Sequence, residues 1–164
     1  MSSLFIVGLG SHHGDDQAGW LVMDRLQQRN FPPQQMTRLR HPIDLLDVID
    51  TEMSLVICDA CYGSGNPGRI HQGVWSAENS PDQILGPRRD ESGLSLIPQV
   101  HSGSHTLPLI EVLMLGRQLG CGPSFAKIWT IEGGMWAPGT SPSTAIQAAA
   151  AVVAEAIWEQ TFHA

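Results

Sequence analysis

Apolar residues in this chain follow two patterns, and the first consists of short runs typical of strands. Leu4–Val7 and Leu55–Ile57 are continuous apolar runs, as expected for parallel strands that are covered on both faces. Ala126–Ile131 is rich in β-branched and aromatic residues, which favour a pleated surface. Weaker signals lie at Gln35–Leu39 and Arg69–Trp75. The sequence therefore predicts about five strands.

The second pattern is a helical period between the strands, with apolar residues three or four positions apart. The four stripes are Ala18, Leu21, Val22 and Leu26; Leu45, Leu46 and Ile49; Leu109, Ile110, Leu113 and Met114; and Ile146, Ala150, Val153 and Ile157. Ser141 followed by Pro142 is a favourable start for the last helix, because proline at the first helical position gives up an N–H that has no partner there. Strands that alternate with helices predict an α/β fold: a three-layer sandwich with a mostly parallel, roughly five-stranded sheet between helices.

Length and charge narrow the class of protein. A chain of 164 residues can bury its core in one domain, so we expect a single domain over residues 1–164. The net charge of −7 argues against nucleic-acid or anionic-membrane partners. The first apolar run lacks a basic flank and is too short for a signal peptide, and Glu155 interrupts the alanine-rich run near the end, so no membrane segment is predicted. Three cysteines, an odd number, fit a reducing compartment, and we expect a cytoplasmic protein.

The loop after the first strand, "GLGSHHGDD", carries candidate chemistry. It is similar to a dinucleotide-binding G-x-G-x-x-G turn, but Gly14 comes one residue late. Asp15 and Asp16 then occupy the predicted helix start, where a pyrophosphate would have to sit. Two negative charges repel phosphate and favour a cation. The alternative interpretation is that one of them caps the helix.

A further carboxylate, Asp59, lies at the end of the strand "LVICDA". If the first and third predicted strands are neighbours in a parallel sheet, Asp59 emerges at the same edge as Asp15 and Asp16. Like charges so close predict either a bound cation or a raised pKa. The alternative is an aspartate that starts the turn "YGSGNPG".

An imidazole completes the predicted site. His105, in "HSGSHTLPLIEVL", stands where a helix begins, and alone it would be read as a capping or surface histidine. Together with two carboxylates it suits a divalent ion such as nickel or zinc, with water completing the coordination shell. Four other histidines could flank this metal or lie exposed in loops: His12, His13, His41 and His101.

The "CDAC" segment places Cys58 and Cys61 at a spacing that some redox proteins use. A redox-active pair of this kind lies at the start of a helix. Cys58 instead lies inside a predicted buried strand. A small core residue is therefore the preferred interpretation, with redox chemistry as the alternative.

Taken in order, these motifs resemble the nickel-iron hydrogenase maturation endopeptidases. "VGLGSHHGDDQAG" is similar to the family's first strand, glycine loop and acidic pair, and "LVICDACYGSGNPGRI" to its strand ending in Asp-Ala. "SGSHTLPLIEVL" matches the Ser/His element that opens a helix, and "IEGGMWAPGTSPSTAIQAAAAVV" matches the last strand, turn and helix. The resemblance covers nearly the whole chain. It departs at Ser11, where the family has asparagine, and at "RHPIDLLD", where many members have an Asp-Gly loop; His41 in that segment is assigned to the substrate side.

The resemblance implies an activity and a set of site residues. Members remove the C-terminal extension of the hydrogenase large-subunit precursor after nickel insertion, so the precursor is the implied partner and nickel arrives with it. The implied metal contacts are Asp16, Asp59 and His105, and the water is activated by the metal or by Asp15 or Asp16 as general base. The catalytic set is thus Asp16, Asp59 and Asp15. The alternative is a non-catalytic metal-dependent binding or chaperone protein for hydrogenase assembly, and a dinucleotide enzyme ranks third.

Overall fold

The computed structural model describes residues 3–63, 65–78 and 109–163. Within these ranges the strands are β1 (Ser3–Leu9), β2 (Met36–Leu39), β3 (Met53–Cys61), β4 (Ile70–Ser76) and β5 (Phe125–Glu132). The α-helices are α1 (Ala18–Gln28), α2 (Leu109–Gln118) and α3 (Thr144–Phe162), and short 3-10 helices span Gly14–Gln17, Pro33–Gln35 and Pro42–Asp47. Each strand predicted from the sequence is present.

The five strands form one sheet in the order β2-β1-β3-β5-β4. The pairs β1–β2, β1–β3 and β3–β5 are parallel, and only β4 runs antiparallel to its neighbour β5. Helices α1 and α3 cover one face of the sheet, and α2 covers the other together with the 3-10 helix Pro42–Asp47. The predicted three-layer α/β sandwich is confirmed.

Strand β3 shows how the pattern of apolar residues builds both core layers. Val56, Cys58 and Ala60 pack in the layer beneath α1 and α3, whereas Leu55 and Ile57 pack in the layer beneath α2. This alternation follows from the two-residue period of a strand. It also puts the side chain of Asp59 on the α2 side of the sheet, at the end of an otherwise apolar row.

Helix α1 lies very close to the sheet because Gly19 has no side chain. A Cβ at Gly19 would collide with the carbonyl oxygens of Leu9 and Cys58, which lie on β1 and β3. Backbone therefore packs directly on backbone at this point. The close approach brings the first-loop aspartates, only a few residues earlier, to the ends of both strands.

Two helical segments differ from the predictions, one in where it begins and one in its type. Helix α3 begins at Thr144 with Ser143 as N-cap, whose Oγ accepts the N–H of Ile146 at 3.4 Å, so the start lies two residues beyond the predicted Pro142. Asp15 explains the shift, because its carboxylate accepts the Ser143 N–H and holds that residue in an extended conformation. The stripe at Leu45 forms the 3-10 helix Pro42–Asp47 in place of the predicted α-helix. Among the described residues, no helix is both long enough and apolar enough to cross a membrane.

Candidate active site at the carboxyl edge of the sheet

The parallel pairing of β1 with β3 brings two of the predicted site residues to one edge. Gly8 of β1 pairs with Cys58 of β3, so the loop after β1 and the end of β3 emerge side by side. Asp16 lies in that loop and Asp59 at that strand end. They are close enough for the negative charge of Asp16 to raise the pKa of Asp59. The structure therefore brings these carboxyl groups together.

Asp59 is a buried carboxyl group to which the described residues offer one hydrogen-bond donor. Its side chain is only 6% exposed, and Oδ1 accepts one backbone hydrogen bond, from the N–H of Ala60 at 2.8 Å. Burial raises its pKa to about 8; the Ala60 N–H lowers the value and the charge of Asp16 raises it. At neutral pH the group is therefore mostly protonated unless a cation binds it. The sequence predicts either a bound cation or a raised pKa where these carboxyl groups meet, and the raised pKa of Asp59 is the second of these outcomes.

Asp16 is half-buried and is held by the residue that departs from the family pattern. The Ser11 hydroxyl donates to Asp16 Oδ2 at 2.5 Å, and the Ser11 N–H donates to the Asp16 carbonyl at 3.3 Å. The Asp16 N–H in turn donates to the His13 carbonyl at 3.0 Å. The Ser11 hydroxyl thus orients the Asp16 carboxylate. Oδ1 of Asp16 is the oxygen that this bond does not use.

Asp15 points into the protein and binds the segment between β5 and α3. Its Oδ1 accepts the N–H of Ser143 at 2.7 Å, and its Oδ2 accepts those of Gly134 at 2.8 Å and Met135 at 3.0 Å. The side chain is fully buried, and although burial raises its pKa, these N–H groups together lower it below the usual value. The carboxylate does not cap α1, which begins after Gln17. The alternative interpretation, a helix cap, therefore does not apply to Asp15.

The two cysteines of the "CDAC" segment are buried thiols. Cys58 and Cys61 are each 1% exposed and neither is in a disulfide. Burial raises the pKa of Cys61 to about 12, the Thr130 side chain lowers it, and Glu132 and Asp59 raise it further; the pKa of Cys58 is also raised, chiefly by burial. Neutral, enclosed thiols are poor nucleophiles. The core interpretation is supported, and the redox alternative is not.

Sequence reasoning missed a second buried acidic group, at the end of β5. Glu132 is 1% exposed. Its Oε1 accepts the N–H of Asn66 at 3.1 Å, and its Oε2 lies 3.7 Å from Nε2 of the buried His71. Glu132 thereby fixes the loop that follows β3. The rule that selected Asp59, an acidic residue at the end of a buried strand, would have found Glu132 as well.

The histidines divide between described and undescribed parts of the chain. His12, His13 and His41 are exposed and belong to the loops that follow β1 and β2, and the ring of His12 meets that of Trp20 edge-on at 4.9 Å. His105 and His101 lie outside the described residues. Within residues 3–63, 65–78 and 109–163, no group of three or more acidic, histidine or cysteine side chains is arranged to hold a metal ion. The predicted metal set of Asp16, Asp59 and His105 stays a prediction.

Solved structures share this arrangement of helices and strands over nearly the whole chain. The hydrogenase maturating endopeptidase HybD from E. coli is 19% identical and has a TM-score of 0.64, with 98% of this chain and 94% of that chain covered. The hydrogenase 2 maturation peptidase from a Thaumarchaeota archaeon is 18% identical with a TM-score of 0.63 over 98% and 99% of the two chains. The [NiFe] hydrogenase maturation protease HycI from Thermococcus kodakarensis is 22% identical with a TM-score of 0.60 over 96% and 91%.

These similarities establish the fold of the chain. It is the fold of the hydrogenase maturation endopeptidases, and the architecture implied by the sequence resemblance is confirmed. No protein-family model matches the sequence, and no curated protein matches it. Because a fold can carry unrelated functions, activity has to be argued from the site.

Proposed function

We propose that this protein is an endopeptidase that removes the C-terminal extension of a nickel-iron hydrogenase large-subunit precursor after nickel insertion. The observation that carries the proposal is the meeting of Asp16 and Asp59 at the carboxyl edge of the sheet, with the pKa of Asp59 raised to about 8 by burial and by the neighbouring charge. Perturbed carboxyl groups at such an edge are typical of functional sites. Three proteins that share the fold are named as hydrogenase maturation proteases. The proposal includes a cytoplasmic location.

In this proposal, nickel is part of the substrate. Asp16 and Asp59 bind the nickel that the precursor carries, and His105 is the third protein ligand. Carboxylate and imidazole groups suit this ion. Asp59 has to lose its proton when nickel binds, because the ligand is the ionised carboxylate. In this proposal, the protein therefore binds a precursor productively only when the precursor carries nickel.

The proposed hydrolysis assigns different roles to the adjacent aspartates. Both carboxylate oxygens of Asp15 accept backbone hydrogen bonds inside the protein, so Asp15 is a positioning residue. Asp16 is partly exposed, and its Oδ1 holds the substrate's nickel, which orients the precursor and would lower the pKa of the attacking water so that it gives up a proton. The water oxygen then bonds to the scissile carbonyl carbon, the C–N bond breaks, and the proton passes to the leaving amine.

The test is incubation of the purified protein with a nickel-loaded large-subunit precursor, followed by mass measurement. The wild type is expected to convert the precursor to a shorter product, whereas Asp16→Asn leaves it intact, with a rate lower by roughly 100-fold or more. Asp24→Asn is a matched control that is expected to cleave normally, because Asp24 lies on α1 and forms an exposed ion pair with Arg38 of β2. Normal processing by Asp16→Asn rejects the site. Binding by the wild type without any change in mass favours the alternative of a metal-dependent binding or chaperone protein.

A further inference from the structure

Three exposed apolar side chains lie together at the edge of the sheet that carries the candidate site. Tyr62 and Trp136 are each 38% exposed, and Met135 is 47% exposed. The rings of Tyr62 and Trp136 meet edge-to-face, with their centroids 6.2 Å apart and an angle of 74° between their planes. We call Tyr62, Met135 and Trp136 the aromatic patch.

The aromatic patch is attached to the candidate site through Gly133. A Cβ at this position would lie 2.6 Å from Cβ of Asp15 and 2.9 Å from the indole ring of Trp136, so both side chains pack against the space that the glycine leaves open. The Gly133 N–H donates to the carbonyl of Cys61 at 2.9 Å, immediately before Tyr62. Gly133 therefore lies next to Trp136, to the residue before Tyr62, and to the buried Asp15.

The backbone that carries the patch is also held in place. Asp15 donates its N–H to the carbonyl of Met135 at 2.6 Å and accepts the Met135 N–H at 3.0 Å. Single exposed apolar side chains are ordinary on protein surfaces, whereas adjacent ones on a fixed backbone are typical of recognition sites. Aromatic residues dominate such sites because they offer a large contact area with few rotatable bonds.

We propose that the aromatic patch binds an apolar side chain of the substrate peptide close to the scissile bond, which rests on the proposed function. The patch adjoins the candidate site, because Gly133 lies against both Asp15 and Trp136 and Tyr62 follows Asp59 by three residues. In an extended peptide, side chains on one side recur about every 6.6 Å, a spacing similar to that of the two rings. The charged carboxylate of Asp16 at this edge disfavours acidic residues in the same peptide.

The test uses the kinetics of precursor cleavage. Trp136→Ala is expected to raise the KM for nickel-loaded precursor by about tenfold, as the loss of a central aromatic contact commonly does, and to change kcat by less than about threefold. Trp136→Phe keeps an aromatic ring and is expected to restore most of the affinity. Phe125→Ala is the matched control, since Phe125 is also 38% exposed but begins β5 at the opposite edge of the sheet, and its KM is expected to stay unchanged.

The outcomes separate this proposal from the proposed function. If the wild type cleaves the precursor and Trp136→Ala and Tyr62→Ala both keep the wild-type KM, the patch proposal is overturned and the proposed function stands. If the wild type binds but does not cleave, calorimetric titration of the same precursor decides: weaker binding by Trp136→Ala supports the patch, and equal binding overturns it. If the wild type neither binds nor cleaves, both proposals are overturned. Tyr62→Ala replaces Trp136→Ala if the latter does not fold.

Discussion

Two aspartates buried at the same edge of the sheet have opposite electrostatic properties. Asp15 is 0% exposed and Asp59 is 6% exposed, so burial alone does not distinguish them. Within the part of the chain that the structure describes, Asp15 accepts three backbone N–H groups, whereas Asp59 accepts one, from Ala60. The pKa of Asp15 is lowered and that of Asp59 is raised to about 8.

This difference shows that backbone donors decide whether a buried carboxyl group stays charged. Three N–H groups replace the lost water around Asp15, which makes its charge a stabilising part of the fold. Among the described residues Asp59 has one such donor, the Ala60 N–H, and a negatively charged neighbour. A bound cation would therefore stabilise its ionised form. The same chemical group therefore serves as a structural clamp in one loop and as a candidate ligand in the other.

Removal of the Asp15 carboxylate is expected to have the largest effect on stability. Asp15→Ala leaves the N–H groups of Gly134, Met135 and Ser143 without their acceptor, which is expected to lower the free energy of unfolding by about 3 kcal/mol. Denaturant unfolding measures the loss. The control is Asp24→Ala, which removes an exposed ion pair with Arg38 and is expected to change stability by less than about 1 kcal/mol. Equal losses in the two variants would contradict the clamp.

The opposite result is expected for Asp59. Asp59→Asn keeps an oxygen that can accept the Ala60 N–H but removes the buried ionisable group, so the variant is expected to be more stable than the wild type by about 2 kcal/mol at pH 8. Thermal unfolding at pH 8 is the measurement, in parallel with the cleavage assay, in which the variant is expected to be inactive. A variant that is both less stable and fully active would show that Asp59 is an ordinary structural residue.

The sequence predicted much of the fold because its main signals are local. The runs at Leu4–Val7 and Leu55–Ile57 became the centre of the sheet, and the alternation along β3 is readable from its apolar residues. The positions of Asp16 and Asp59 at one edge required only that the two strands be neighbours, which the structure confirms. The strands and the shared position of the two aspartates could therefore be predicted from residue type and from the two-residue period of a strand.

Contacts between distant segments could not be read in the same way. The bonds from Asp15 to Gly134 and Ser143 join residues 119 and 128 positions apart, and no local pattern marks them. The bond to Ser143 accompanies a start of α3 at Thr144, later than the predicted Pro142. The bonds also give Asp15 a different role from Asp16, although the two look equivalent in the sequence. The aromatic patch is likewise a product of folding, since Tyr62 and Trp136 follow different strands. The contribution of His105, outside the described residues, stays a prediction.

The pH dependence of stability is expected to have opposite signs for Asp15 and Asp59. Asp15 has a folded-state pKa below the unfolded value of 3.8, so its contribution is present above that value and is lost as the pH falls through the folded pKa. Asp59 has a folded pKa of about 8, so its contribution is present below pH 3.8 and is lost as the pH rises towards 8. The stability gap between Asp59→Asn and the wild type should therefore widen from pH 4 to pH 8, and the gap between Asp15→Ala and the wild type should narrow below pH 4. Urea titrations at several pH values measure both gaps, and parallel curves would contradict the assignment.

Ser11 provides the smallest of the expected effects, because its hydroxyl makes one hydrogen bond to the half-buried carboxylate of Asp16. Ser11→Ala removes the hydroxyl that donates to Oδ2 of Asp16 at 2.5 Å, while the backbone bond from Ser11 to the Asp16 carbonyl at 3.3 Å remains. The free energy of unfolding is expected to fall by about 1 kcal/mol or less. The kcat for precursor cleavage is expected to fall by roughly threefold to tenfold, because the carboxylate is less well oriented. Ser11→Thr keeps a hydroxyl and is expected to retain most of the activity, so equal losses in Ser11→Ala and Ser11→Thr would show that the hydroxyl does not position Asp16.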